Sequence, residues 1–241
     1  RMPEEHNRIM IDHISEYLFA PTLQAKQNLI DDNVKGKIFV FGNTIVDAVH
    51  QNIEIARSES DILNQLKIQP KKYFILTAHR EENVDKKETL INILDGLREI
   101  GEGYTEYQII FPIHPRTKDR LEIFGLNKYV NDQNIKIIEP TGYLDFLLLL
   151  DNAKLVLTDS GGVQEEACIL QVPCLTLRDN TERPETVQVG ANIVVGTESK
   201  EILRGVNKMI RIKGKWENPF GEGRTAKRVI NVIIKDVLNF N

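Results

Sequence analysis

From residue 73 onward the chain alternates short, unbroken apolar runs with longer stretches of helical periodicity. Residues 73–77, 107–111, 135–138, 155–158, 173–177 and 193–195 read as strands. Continuous apolar runs of this length are expected when both faces of a sheet are covered. Between them, Asp85 and Glu88 form a start resembling a capping box for a helix that places Leu90, Leu94 and Leu97 on one face and stops at Gly101. Further helices are predicted over 117–124, 143–152, 164–170, 199–209 and 225–240. The region before residue 70 is less regular. A helix over 4–19 would carry Met10, Ile14, Tyr17 and Leu18 as its apolar stripe, with Pro3, Glu4 and Glu5 suiting its first turn. A second helix over 23–30, a strand over 37–41, a turn at Gly42-Asn43, a helix over 45–56 and a short helix from 58 follow. Pro70-Lys71-Lys72 reads as a boundary.

Strands alternating with helices predict an α/β fold with a parallel, doubly wound sheet. In such sheets a ligand sits outside the carboxyl ends of the strands. The loops there span 77–83, 112–116, 140–143, 159–162 and 178–185. They hold His79, Arg80, His114, Arg116, Ser160, Arg178, Glu182 and Arg183, the chain's most chemically suggestive side chains. No internal repeat or low-complexity segment interrupts the pattern.

The 241 residues are 41% hydrophobic and 27% charged, with a net charge of −4, an ordinary globular composition. No basic surface for nucleic acid is indicated. The longest apolar run, residues 146–150, is far too short to span a membrane. Cys168 and Cys174 lie in apolar surroundings and read as reduced core thiols of a cytoplasmic protein. No metal-ligand spacing is present: His6 and His13 share a helix face but stand two turns apart.

The sharpest local signal is Thr158-Asp159-Ser160-Gly161-Gly162-Val163-Gln164-Glu165-Glu166. It reads as strand, glycine turn and helix. Gly161 and Gly162 remove Cβ atoms where a ligand would approach the backbone, and the helix start suits a phosphate. Ser160 adds a hydroxyl, and Glu166, about one turn further, is placed to reach a ribose diol. The bland alternative is an ordinary strand-to-helix turn. His79 at a strand end is a candidate acid, base or phosphate donor, against a loop-capping role. His114 is as readily explained by hydrogen bonds within its loop. Arg183 is suited to clamp a diphosphate, against a surface ion pair. Phe146 reads as a surface for a base or as core, and Glu4 as a functional carboxylate or a helix-start acid.

These residues together resemble the non-hydrolysing UDP-N-acetylglucosamine 2-epimerases. The resemblance rests on Pro3-Glu4-Glu5-His6-Asn7-Arg8, Gly42-Asn43-Thr44, His79-Arg80, His114-Pro115, residues 159–166 and Arg178-Asp179-Asn180-Thr181-Glu182-Arg183-Pro184-Glu185, in the family's order along essentially the whole chain. It implies a GT-B-like fold of two Rossmann-like domains. Residues 1–48 would be the tail of the first domain, 49–69 a connector, 70–220 the UDP-binding domain and 221–241 a helix crossing back. It also implies reversible inversion at carbon 2 of UDP-GlcNAc to give UDP-ManNAc, by anti elimination of UDP through 2-acetamidoglucal and re-addition. No cofactor or metal is needed for that chemistry. By resemblance, Glu4 and His79 are catalytic, and Phe146, Ser160, Gly161, Gly162, Glu166 and Arg183 bind UDP. Arg80 and His114 are further candidates. A homodimer with UDP-GlcNAc and UDP as ligands is expected, with no nucleic-acid partner and no membrane insertion.

In the family, the first domain's sheet and two other acidic residues precede the position of Pro3. The expectation is therefore that these 241 residues alone are inactive or nearly so. Competing readings are a hydrolysing 2-epimerase that releases ManNAc and UDP, a GT-B glycosyltransferase, and a nucleotide-sugar-binding subunit without chemistry.

Overall fold

The computed structural model describes residues 3–130 and 133–237, and the side chains of all of these but 3, 4 and 237. The chain divides into two compact units, residues 1–51 with 218–241, and residues 52–217.

The larger unit is built on one six-stranded sheet. Its strands are β3 (Tyr73–Thr77), β4 (Gln108–Pro112), β5 (Ile135–Ile138), β6 (Leu155–Thr158), β7 (Cys174–Thr176) and β8 (Asn192–Val194). The order is β5-β4-β3-β6-β7-β8, with every pairing parallel. The chain begins at the centre, winds outward through β4 and β5, then returns to the other side of β3. The strand order therefore reverses between β3 and β6, where loops diverge and leave a crevice.

Helices cover both faces. Phe74 and Leu76 pack with Leu90, Leu94 and Leu97 of the helix Lys87–Gly103 and with Ile202, Val206 and Met209 of the helix Ser199–Met209. The alternate residues Tyr73 and Ile75 are equally buried, and the Tyr73 hydroxyl donates to the Leu149 carbonyl of the helix Tyr143–Asn152 at 2.6 Å. The fold is thus α/β, Rossmann-like and doubly wound, in the GT-B-like class expected from the sequence. Both cysteines are free and buried, and burial pushes the Cys168 thiol up to about 12.

The smaller unit carries a two-stranded parallel sheet, β1 (Tyr17–Ala20) and β2 (Lys37–Val40). One face buries Leu18 and Ala20 with Leu29. The other stacks Phe19 on Phe39 and Phe41, with ring centroids 5.6 and 6.0 Å apart. Asp47 accepts the amide hydrogens of Thr225 and Ala226 at 3.1 and 3.2 Å and so caps the helix Thr225–Val232. Gly42 and Gly221 both have positive φ, and a Cβ on Gly42 would lie 2.6 Å from the Phe220 carbonyl oxygen. Only glycine fits there.

Several boundaries differ from the sequence expectation. The helix expected over 4–19 is Pro3–Ile14 and is followed by β1. Tyr17 and Phe19 are better satisfied by pairing with β2 and stacking on its rings than by a helical stripe, and Met10 and Ile14 are exposed. Asp85 does not cap the start of the helix that carries Leu90; it closes the short helix Glu81–Val84. The Leu90 helix begins at Lys87, and the Asp85 side chain instead accepts from Arg116 and Arg120. Gly101 does not end that helix, which runs to Gly103. Gly101 is buried where a Cβ would come 3.1 Å from Asn134 Cβ, so its small size serves packing. The last helix is α-helical only to Val232 and continues as a π-helical turn, Ile233–Val237. Residues 238–240, also expected to be helical, lie outside the described residues.

Candidate active site

The reversal between β3 and β6 brings together the loop after Thr77 and the loop after Thr158. Thr77 and Thr158 lie in register, and their hydroxyls share a hydrogen bond of 2.6 Å. Thr158 Oγ1 also accepts from the Ser160 amide at 2.9 Å, which turns the chain toward the next helix. Asp159 is fully buried beside this pair. Its Oδ2 accepts from the His79 and Arg80 amides at 2.8 and 2.9 Å and from Asn83 Nδ2 at 3.1 Å. Its Oδ1 lies 3.0 Å from His79 Nδ1. Burial alone would raise the Asp159 carboxyl. The hydrogen bonds from His79 and from the Arg80 amide outweigh burial and hold it below its usual value. Sequence reasoning used Asp159 only as part of a motif. A buried acid between a strand end and a glycine pair was the signal that it serves the site.

His79 and His114 lie side by side, with ring centroids 5.3 Å apart. Together with Ala78, Thr141, Phe146 and Ser160 they line a cavity of about 220 Å³. His114 also caps the helix Pro115–Ile123 by accepting the Arg116 amide at 3.2 Å, so its loop role and its place at the cavity coexist. The buried Thr141 hydroxyl, on the wall near Phe146, finds no hydrogen-bond partner among the described residues.

The helix Gly161–Ile169 opens at Ser160, whose hydroxyl makes no cap hydrogen bond. Neither Gly161 nor Gly162 has positive φ. A Cβ on Gly161 would meet nothing closer than Arg183 Cζ at 3.8 Å, and one on Gly162 nothing closer than Ser160 Oγ at 3.9 Å. The protein's own packing therefore does not require either glycine. Their bare backbone leaves room for something that approaches the helix start, where amides and the dipole favour an anion. The Arg183 guanidinium lies against this turn. Its Nε is 2.8 Å from Glu165 Oε1, and its Nη1 donates to the Glu182 carbonyl at 3.0 Å.

One turn along, Glu166 is almost fully buried, and burial pushes its carboxyl up to about 7. A hydrogen bond from Tyr143 opposes that rise, and the Glu165 charge adds to it. Tyr143 in turn is pushed up to about 12 by its own burial and by Glu166. The loop carrying Arg183 is anchored by polar contacts that the sequence reading missed. Thr181 Oγ1 donates to Gln164 Oε1 at 2.6 Å, and Asn192 bridges Gln164, Thr176 and Thr186. Scattered threonines carry no periodic signal, so nothing in the sequence singled these out.

The structure thus gathers His79, His114, Phe146 and Ser160 on one cavity, with Gly161, Gly162 and Arg183 at the adjoining helix start and Glu166 one turn beyond. Arg80 follows His79, and its buried Nε has no partner among the described residues. Arg178 and Arg116 are committed to carboxylates, Glu82 and Glu182 for the first, Asp85 and Glu81 for the second. Glu4 lies in the first turn of the helix Pro3–Ile14, and its side chain lies outside the described residues. Among the described residues no three His, Cys, Asp or Glu side chains are grouped to hold a metal ion. No described helix is long and apolar enough to cross a membrane.

Residues 1–234 match the family model described as UDP-N-acetylglucosamine 2-epimerase. The chain belongs to that family. The UDP-N-acetylglucosamine 2-epimerase of Methanocaldococcus jannaschii is 56% identical over 237 residues, covering 96% of this chain and 64% of the relative. Among solved structures, the M. jannaschii UDP-GlcNAc 2-epimerase in complex with UDP-GlcNAc and UDP is similar, with a TM-score of 0.89 and 55% identity over 97% of this chain and 65% of that one. The epimerase of Neisseria meningitidis bound to UDP-GlcNAc gives a TM-score of 0.84 at 33% identity, over 97% of this chain and 65% of that one. The 241 residues therefore span about 64% of the length of the curated epimerases they match.

Proposed function

We propose that this chain binds UDP at the cavity and helix start described above and serves a UDP-N-acetylglucosamine 2-epimerase. The supporting observation is the opening of the helix Gly161–Ile169. Its two glycines are unneeded by the fold, its cap hydroxyl is unused, and an arginine lies against it. Such an arrangement suits a diphosphate. The names of relatives bound to UDP-GlcNAc and UDP give the nucleotide sugar.

In this reading the diphosphate rests on the Gly161 and Gly162 amides with Ser160 and Arg183. Glu166 accepts hydrogen bonds from the ribose hydroxyls, and Phe146 packs on the uracil. The reaction is reversible inversion at carbon 2, giving UDP-ManNAc. A carboxylate, assigned to Glu4 by resemblance, removes the carbon 2 proton. UDP leaves with the carbon 1–oxygen electron pair to give 2-acetamidoglucal, and then re-adds as a proton is delivered to the opposite face. Charge on the departing diphosphate is stabilised by the helix start, Arg183 and His79. No redox cofactor enters these steps. The enzyme is read as a cytoplasmic homodimer with no nucleic-acid partner.

The test is incubation of the intact protein with UDP-GlcNAc in deuterated water, followed by NMR and mass analysis, with UDP binding measured by calorimetry. UDP binding, formation of UDP-ManNAc and one deuterium at carbon 2 are expected. Free ManNAc and UDP as sole products would replace this reading with the hydrolysing one. UDP binding without turnover would leave a nucleotide-sugar-binding subunit, and absence of both would overturn the site.

A further inference from the structure

The two histidines at the cavity are held by partners of opposite kind. The Asp159 carboxylate is fully buried, and a carboxylate only accepts hydrogen bonds. Its Oδ2 is taken by three N–H donors. Its Oδ1 makes no hydrogen bond of good geometry among the described residues, and His79 Nδ1 stands 3.0 Å from it. A buried carboxylate oxygen lacking a donor, with the ring nitrogen at that distance, favours the proton on Nδ1. The neutral ring then carries its lone pair on Nε2. For His114 the reverse holds. Nδ1 accepts the Arg116 amide hydrogen at 3.2 Å, so the neutral ring carries its proton on Nε2. The two rings lie 5.3 Å apart on the same cavity wall.

We propose that Asp159 is a positioning residue for His79. By taking Nδ1–H it leaves Nε2 as the nitrogen that exchanges a proton at the cavity, beside a His114 whose Nε2 bears the ring proton. The role in turnover rests on the epimerase reading above. There the charged ring gives its Nε2 proton to the leaving diphosphate oxygen as the carbon 1–oxygen bond breaks. Nε2 takes that proton back when the bond re-forms. Asp159, at 3.0 Å from Nδ1, balances the charge of the imidazolium before UDP departs and after it returns.

The decisive substitution is Asp159→Asn. Asparagine keeps one oxygen for the His79, Arg80 and Asn83 donors but turns an NH₂ toward His79 Nδ1. The ring must then accept at Nδ1 and move its proton to Nε2. The readout is the ¹⁵N shift pair of His79 in the intact protein, at a pH where the ring is neutral, assigned by its loss in His79→Gln. The wild type is expected to show a protonated Nδ1 and a bare Nε2, and Asp159→Asn the reverse. Turnover of UDP-GlcNAc is expected to fall at least about 100-fold in kcat, with KM within about threefold, because nucleotide contacts elsewhere are untouched.

A wild-type His79 protonated at Nε2 overturns the proposal, and that measurement needs no variant to fold. A tautomer switch in Asp159→Asn without loss of kcat overturns the role in turnover. If the wild type shows the Nδ1–H form but turns over no UDP-GlcNAc, the epimerase reading has failed while the positioning of His79 stands.

Discussion

Arg183 Nε lies 2.8 Å from Glu165 Oε1, so the arginine at the helix start is oriented by the carboxylate adjacent to Glu166. Glu165 is almost fully buried and the Arg183 side chain is only about one-third exposed, so neither partner is well solvated. The pair holds a cation next to the glycine turn while leaving Glu166 on its own to meet Tyr143. Arg183→Ala is expected to weaken UDP binding by about 10- to 100-fold, because it removes a phosphate partner and a cation that faces Glu165. Arg183→Lys is expected to recover little, since an ammonium cannot span Glu165 and a phosphate with one planar fork. Calorimetric titration with UDP at two salt concentrations checks both.

The glycine pair yields a prediction that separates ligand from fold. Gly161→Ala adds a Cβ that meets nothing closer than 3.8 Å, at an ordinary φ. The thermal midpoint is expected to stay within about 2 °C of wild type or rise slightly. UDP affinity is expected to fall at least about 10-fold. Equal losses of stability and affinity would show that the glycine serves packing instead.

Glu166 gives the site a pH signature. Its carboxyl is raised from 4.5 to about 7 in the folded chain, mainly by burial. The folded state therefore holds this proton more tightly than the unfolded chain. The corresponding stability is fully present below about 4.5 and is lost as pH rises through about 7. Glu166→Gln is expected to raise stability at pH 8 by about 1–3 kcal/mol relative to wild type, and to change it little at pH 4. Denaturant unfolding at the two pH values checks this.

On the proposed reading, ligand binding at the same carboxylate is linked to protons. In the proposed UDP complex, ribose hydroxyls donating to Glu166 would favour its ionised form, so UDP binding near pH 6.5 is expected to release up to about one proton. Titrations in buffers of different ionisation enthalpy measure the number directly. The release is expected to vanish in Glu166→Gln. A release unchanged in that variant would place the titrating group elsewhere.

In the smaller unit, Asp47 accepts the first two amides of the helix Thr225–Val232, and Thr225 Oγ1 donates to the Phe41 carbonyl at 2.9 Å. Asp47→Ala is expected to cost about 1–2 kcal/mol, the usual range for a lost N-terminal cap. Hydrogen exchange should quicken over residues 225–232 and leave β3 to β8 unchanged. A uniform increase across the chain would mean that the cap supports the whole protein.

The strands β3, β5 and β6 and the helices Tyr143–Asn152 and Ser199–Met209 were legible from the sequence at their exact bounds. A strand buried on both faces must be apolar throughout, and a helix covering it must be apolar at helical spacing. The site loops were legible for the same reason. Once the strands are parallel, their carboxyl ends lie along one edge, so His79, His114, Ser160 and Arg183 had to share it. What the sequence could not state was the strand order. The return from β5 to β6 across β3 is a long-range pairing with no local signature, yet it alone brings Asp159 onto His79. The same limit explains β1. Tyr17 and Leu18 fit the edge of a helical stripe as well as a strand, and only β2, across an intervening helix, decided between them. Asp85 and Gly101 carry capping and stopping signals that are chemically sound. Tertiary partners, Arg116 and Arg120 for one and Asn134 for the other, overrode them because their contacts offered more than a helix end did. Local periodicity and residue chemistry set which elements form and which edge carries the chemistry. Tertiary pairing set which carboxylate meets which histidine, and tertiary burial set the raised carboxyl of Glu166.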